Sequence, residues 1–149
     1  MKAVVLYQSR RGNTRRAGEL IGEACLRKGI EASIRPATNP DHRALAEADV
    51  VFVGTWVGGI VIAGHHPGQT GKLSKLPALY NKDTAVFMTY KWHAGKVLDS
   101  FAGWLHRNKG AEVHHGALIK SGAIEADGAT WADAFVNETL SKLGVRVKG

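Results

Sequence analysis

Short apolar runs in this chain are separated by longer stretches in which apolar residues recur every three or four positions. The runs at 3–7, 50–53 and 84–90 are almost wholly apolar, which is typical of strands buried on both faces of a sheet. Residues 30–34 alternate between apolar and polar and indicate a half-exposed edge strand. Residues 113–119 form the last candidate strand, so the pattern predicts five strands.

Helical patterns separate these strands. Apolar residues at i, i+3, i+4, i+7 and i+8 predict a helix over 13–28, and similar spacing predicts helices at 94–105 and 132–143. Asp41 is a candidate N-cap for a short helix that ends at residue 48, and a weaker helix is expected at 73–80. This alternation predicts an α/β fold, with a parallel sheet, right-handed crossovers and helices on both faces.

In a sheet of this kind, ligands bind beyond the carboxyl ends of the strands. The loops of interest are therefore those at 9–14, 54–71 and 89–95, which follow the first, third and fourth predicted strands. The loop at 54–71 contains six glycines, one proline and no clear period. Long irregular loops in compact domains are usually functional or mobile, so this one is a candidate binding element.

Composition adds the class of protein to this outline. The chain has 149 residues and 44% hydrophobic content, which is enough for a core without metal or disulfide support, and we expect one domain over 1–149. Its one cysteine, Cys25, lies on the apolar face of the first predicted helix and is interpreted as a core residue. The segment after Met1 lacks a signal-peptide core, and no apolar run reaches bilayer length, which predicts a cytoplasmic protein without a membrane span.

The charge favours anionic partners, because 20 Lys and Arg outweigh 13 Asp and Glu to give a net charge of +7. Nucleic-acid binding is not expected, since the basic residues do not form an exposed stripe interleaved with aromatic residues. The adjacent pairs His65-His66 and His114-His115 lack the spacing of a helical metal site, so no metal site is expected.

The loop at 9–14 reads SRRGNT and lies between a buried strand and the start of a helix. A helix N-terminus presents unpaired N–H groups and a partial positive charge of roughly half a unit, which attracts anions. Gly12 allows the backbone to bend close to a ligand, and the two arginines could pair with a phosphate. The pattern fits a phosphate cradle or a capped turn with solvated arginines, and it is neither a Walker loop nor a dinucleotide fingerprint.

The loop SRRGNT resembles the phosphate loop of flavodoxins, [S/T]-x-[T/S/H]-G-N-T, with Arg11 where a small hydroxyl residue is common. The segment GTWVGG at 54–59 is similar to the aromatic loop after their third strand. The segment TYKWHAG at 89–95 is similar to their TY-x-x-x-P-G loop, with Ala94 in place of proline. The resemblance covers nearly the whole chain and implies a three-layer sandwich with strand order 2-1-3-4-5 and FMN as the cofactor.

The resemblance also implies which residues contact FMN. The phosphate would bind backbone N–H groups of the loop at 9–14, and Trp56 would stack on one face of the flavin ring. Either Tyr90 or Trp92 would stack on the other face, and Gly58 or Gly59 would allow a peptide flip toward the ring. The expected cofactor-binding residues are Ser9, Arg10, Arg11, Gly12, Asn13, Thr14, Thr55, Trp56, Val57, Gly58, Gly59, Thr89, Tyr90, Lys91, Trp92, His93 and Gly95.

The function implied is electron transport by single electrons between a reductase and an acceptor enzyme, with no catalytic residue of the protein's own. Two alternatives remain: an FMN-dependent oxidoreductase acting on a quinone or porphyrin precursor, and a non-catalytic module with the same fold. Typical flavodoxins are acidic around the flavin, whereas 54–71 has no carboxylate and 89–95 carries Lys91. We therefore expect redox partners with an acidic docking face, and a semiquinone/hydroquinone potential less negative than that of acidic flavodoxins. The protein is expected to be a monomer.

Overall fold

The computed structural model of the protein describes residues 1–57, 75–92 and 96–144. Its strands are β1 (Lys2–Tyr7), β2 (Glu31–Pro36), β3 (Val50–Trp56), β4 (Asp83–Tyr90) and β5 (Glu112–Lys120). Its helices are α1 (Asn13–Arg27), α2 (His42–Glu47), α3 (Val97–Lys109) and α4 (Ile124–Lys142), and a 3₁₀ turn at Ser121–Ala123 leads into α4. The predicted alternation of strands and helices is confirmed.

The five strands form a parallel sheet with the order β2-β1-β3-β4-β5, which confirms the expected 2-1-3-4-5 topology. Side chains of successive strand residues point to opposite faces, so each buried strand feeds two cores. Val5, Phe52 and Phe87 pack under α1 and α4, whereas their strand neighbours pack under α2 and α3. The three-layer arrangement follows from this alternation.

Aromatic rings fill the layer between the sheet and α4. Phe52 and Phe135 meet edge to face with centroids 5.6 Å apart, and Trp131 stacks on Phe135 at 5.5 Å. The centroid of the Phe87 ring lies 6.4 Å from the ring centroids of both Trp131 and Phe135. Edge-to-face and offset ring pairs stabilise the fold beyond the burial of their surface, so this cluster holds α4 against the sheet.

Cys25 lies fully buried on the inner face of α1, as predicted. Burial raises the pKa of its thiol to about 12, because the thiolate would lose its hydration. The residue is therefore a small apolar core residue and not a nucleophile at neutral pH.

Several predicted boundaries are wrong. Residues 54–56 extend β3, because the Thr55 and Trp56 backbones pair with Met88 and Thr89 of β4. The described part of the helix expected at 73–80 is irregular from residue 75 onward, and Pro77 opposes a helix there because it lacks an N–H. Helix α4 begins at Ile124 and not near 132. No helix within the described ranges is long and apolar enough to cross a bilayer.

Candidate functional site

A cleft of about 500 Å³ opens at the carboxyl edge of the sheet. It lies at the sheet edge that the sequence predicts, where the ends of β3 and β4 meet the loop at residues 9–14, named the phosphate loop for the flavodoxin loop that it resembles. The residues that line it are Ser9, Arg10, Arg11, Asn13, Thr14, Trp56, Val57, Thr89, Tyr90, Lys91, Lys120, Ser121 and Gly122. The fold thus brings segments from across the chain to one place at the sheet edge.

The phosphate loop is held by its own hydrogen bonds. Gly12 adopts a left-handed conformation with φ 91°, which a residue with a side chain rarely accepts. Its N–H donates to the Ser9 Oγ across 3.0 Å, and its carbonyl accepts from the Arg16 N–H to begin α1. The N–H groups of residues 13–15 precede the first helical hydrogen bond and are available to an anion.

A pair of buried hydroxyls joins the phosphate loop to β4. Thr14 and Thr89 are each 1% exposed, and their Oγ1 atoms lie 2.9 Å apart. One hydroxyl donates to the other, so the acceptor keeps a proton of its own. Neither hydroxyl has a second partner among the described residues, which leaves one buried donor for a ligand in the cleft.

Two aromatic residues enter the cleft wall and one does not. Trp56 ends β3 and Tyr90 ends β4, and both are half-buried and line the cleft. Trp92 lies outside the lining and is 83% exposed. The Lys91 Nζ lies 5.7 Å from the centroid of the Trp92 ring, within the range of a cation–π contact.

The cleft is positively charged. Its lining contains Arg10, Arg11, Lys91 and Lys120 and no carboxylate. None of the four cations forms an ion pair with any residue in the described part of the chain. One turn further along α1, by contrast, the arginines at 15 and 16 are paired with glutamates at 19 and 23. Among residues 1–57, 75–92 and 96–144, no side chain neutralises the positive charge at the cleft.

The remaining predicted site residues fall in three places. Thr55 is fully buried below the lining, and its hydroxyl donates to the Gln8 Oε1 across 3.3 Å. Gly12 shapes the phosphate loop and is not itself part of the lining. The predictions for Gly58, Gly59, His93 and Gly95 lie outside the described residues.

Sequence reasoning missed Lys120, Ser121 and Gly122, which follow β5 and line the same cleft. The signal was available, since the rule that ligands bind beyond the carboxyl ends of parallel strands applies to β5 as well. The three loops predicted to matter follow β1, β3 and β4, near the switch point of strand order, and β5 lies beyond them at the sheet edge.

The histidines on β5 bind carboxylates and not each other. The His114 Nε2 lies 2.8 Å from Asp83, beside the irregularity in pairing at Thr84 and Ala85. The His115 Nε2 lies 3.0 Å from Glu138 of α4. Across the ranges described, no group of three His, Cys, Asp or Glu residues is arranged to hold a metal ion.

Neither a protein-family model nor a curated protein matches the chain. Solved flavodoxin structures match it over nearly its whole length. They include the Streptococcus pneumonia TIGR4 flavodoxin (19% identity, 95% of this chain and 99% of that chain, TM-score 0.69) and oxidised flavodoxin 2 from Bacillus cereus (20%, 95% and 99%, 0.71). A mutant flavodoxin from Pseudomonas aeruginosa is similar (18%, 97% and 99%, 0.69). At these identities the likeness concerns the fold, and the chain has the flavodoxin-like fold.

Proposed function

We propose that this protein binds FMN in the cleft and carries single electrons between a reductase and an acceptor enzyme. The observation that supports this most is the make-up of the cleft. A loop suited to an anion lies at one part of the sheet edge, and aromatic side chains end the two neighbouring strands. This combination suits a ligand with a phosphate and a flat ring.

One end of the cleft offers hydrogen-bond donors and positive charge that suit a phosphate group. Residues 13–15 offer backbone N–H groups at the positive end of α1, and Arg10 and Arg11 supply charge. The Ser9 Oγ accepts from Gly12, so its own proton remains for a ligand oxygen. The Thr14–Thr89 pair adds one more donor that no described residue uses.

The ring end is bounded by Trp56 and Tyr90, which lie at the ends of adjacent strands. Both offer a flat apolar face to an isoalloxazine, and Tyr90 adds a hydroxyl. Since Trp92 is turned out of the cleft, we assign the second ring contact to Tyr90 and not to Trp92. The sequence left both residues open, and the exposure of Trp92 supports Tyr90.

In this proposal the bound FMN supplies the redox chemistry, and the protein supplies binding, orientation and electrostatics. The side chains that line the cleft hold and position the ligand. Ser9, Asn13 and Thr14 donate hydrogen bonds, Arg10 and Arg11 neutralise charge, and Trp56 shields the ring from water. No step of a one-electron carrier requires a nucleophile from the chain.

The redox partners should present carboxylates to the mouth of the cleft. FMN carries about two negative charges on its phosphate at neutral pH, whereas four cations line the cleft. The loaded site therefore keeps a positive excess, which steers an acidic protein surface toward it. Trp92, exposed beside Lys91, adds an apolar contact of the kind that is frequent at protein interfaces.

The proposal is tested by adding FMN to the purified protein and recording the visible spectrum during stepwise reduction. We expect tight binding and a spectrum that passes through a one-electron stage. A protein that takes up no FMN would contradict the cofactor assignment. Steady NAD(P)H oxidation by the loaded protein alone, without a reductase, would contradict the carrier and favour an oxidoreductase.

A further inference from the structure

The corner between β5 and α4, formed by Lys120, Ser121 and Gly122, lies against the cleft, although nothing in the resemblance assigns a role to it. Lys120 is the last residue of β5, and it is in register with Tyr90, the last residue of β4. Because Tyr90 also lines the cleft, the parallel register brings the Lys120 backbone to the level of the ligand site.

The corner leads into α4, which covers the same face of the sheet as α1. Ile124, two residues after Gly122, is buried in the same core cluster as Ala17 and Ile21 of α1. The phosphate loop and the corner thus lead into helices that cover the same face of the sheet. Lys91, by contrast, precedes α3, whose buried side chains pack on the opposite face.

Lys120 differs from the lysines that this chain uses to stabilise its fold. Lys28 pairs with Asp133 at 3.4 Å, and Lys82 donates to the carbonyls of Ala46 and Ala48 at 3.0 and 3.2 Å. Lys120 has no hydrogen bond or ion pair in the described part of the chain, and it is exposed at the cleft wall. Its charge therefore serves no contact with another described residue.

We infer that Lys120 is a third cation of the phosphate site, acting from the end of β5 in addition to Arg10 and Arg11. The inference rests on the proposed FMN site and deepens it. A long flexible side chain at this corner can reach an anion that the loop at 9–14 holds through backbone N–H groups. Lys120 would then contribute to the preference for FMN over riboflavin, which has the same ring and no phosphate.

The test compares FMN and riboflavin binding to the apoprotein in Lys120→Met, Lys120→Arg and a control, Lys142→Met. Lys142 ends α4, about 27 Å along the helix from the cleft at 1.5 Å per residue, and its loss changes the net charge equally. We expect Lys120→Met to raise the FMN Kd about two- to fivefold at low salt, the range of an exposed ion pair. The riboflavin Kd should stay constant, Lys120→Arg should retain affinity, and the effect should fade in about 1 M salt.

Three other outcomes would contradict the role inferred for Lys120. If Lys120→Met matches Lys142→Met while the wild type binds FMN tightly, the role of Lys120 is wrong and the proposed function stands. If Lys120→Met weakens FMN and riboflavin equally, Lys120 acts on the ring or the fold, and the inference is overturned. If the wild type binds neither flavin, the proposed function fails and the inference fails with it.

Discussion

The phosphate loop and the end of β4 (Thr89–Trp92) lie at the same edge of the sheet, but they are built differently. Within the phosphate loop, Gly12 donates to Ser9 and α1 begins at once. The end of β4 leaves the sheet after Tyr90, and Trp92 becomes exposed with Lys91 beside its ring. A loop tied into the domain keeps a ligand in place, whereas an exposed aromatic residue beside a cation suits a contact with another protein.

Thr89 is the point where the two regions meet. Its hydroxyl is buried against that of Thr14, so the start of α1 and the end of β4 share one hydrogen bond. Two and three residues further on, just past the end of β4, Lys91 and Trp92 are exposed. In the proposed function, the residues for ligand binding and for partner contact would therefore be neighbours in sequence that differ in burial, and substitutions can separate the two roles.

The largest effect should come from distorting the phosphate loop. In Gly12→Val a β-branched residue would have to adopt φ 91°, at a cost of about 1–3 kcal/mol. We expect the FMN Kd to rise about 10- to 100-fold, measured by quenching of flavin fluorescence. The matched control is Gly29→Val, since Gly29 has φ 75° and also has open space around it. Equal loss of FMN affinity in both variants would contradict a local role for Gly12.

Removing the shared hydroxyl should have the next largest effect. Thr14→Val keeps the shape and leaves Thr89 without its partner, so we expect about tenfold weaker FMN binding and about 1 kcal/mol lower stability. Thr139→Val is the control, because Thr139 is fully buried and donates to the Phe135 carbonyl far from the cleft. It should lose similar stability in a urea titration and bind FMN normally. Normal FMN binding by Thr14→Val would count against the site.

Substitution of the two tryptophans at the sheet edge should affect FMN binding to different extents. Trp56→Ala removes a ring face from the cleft, and we expect the FMN Kd to rise about 3- to 10-fold. Trp92→Ala should change the FMN Kd less than about twofold, because its ring lies outside the cleft. A larger loss in Trp92→Ala than in Trp56→Ala would mean that Trp92 is the stacking residue.

The smallest expected effect is electrostatic. Lys91→Gln removes a cation from the cleft wall, which makes a negatively charged reduced flavin harder to form. We expect the midpoint potential to become more negative by on the order of 20 mV, the effect of a unit charge about 10 Å away in water. The potential should be measured by redox titration at low salt, with Lys142→Gln as a charge-matched control. A less negative potential in Lys91→Gln would reverse the assigned sign.

The fold was predictable because periodicity reports burial directly. The runs at 3–7 and 50–53 are apolar at every position, and both proved to be buried on two faces. The limits of the strands were less predictable, since Thr55 and Trp56 continue β3 through backbone pairing that no side-chain pattern reveals. The helix predicted at 73–80 is absent from residues 75–80, because Pro77 lacks the N–H that a helix needs there.

The candidate site was predictable to the level of the sheet edge. Most of the residues expected from the loops at 9–14 and 89–95 do line the cleft. The contact of Thr14 with Thr89 joins residues 75 positions apart, and periodicity carries no information on such a pair. Tyr90 lines the cleft and Trp92 does not. This difference depends on where β4 ends, and the ends of a strand are its least predictable property.

Gly54 limits which sequences can keep this architecture. A Cβ at this position of β3 would overlap the ring of Phe87, which itself contacts Trp131 and Phe135. Any larger residue at position 54 therefore requires a smaller one at position 87, and the loss of that ring would loosen the cluster under α4. Substitutions at positions 54 and 87 are thus coupled. This coupling limits which residues β3 can carry directly before Thr55 and Trp56.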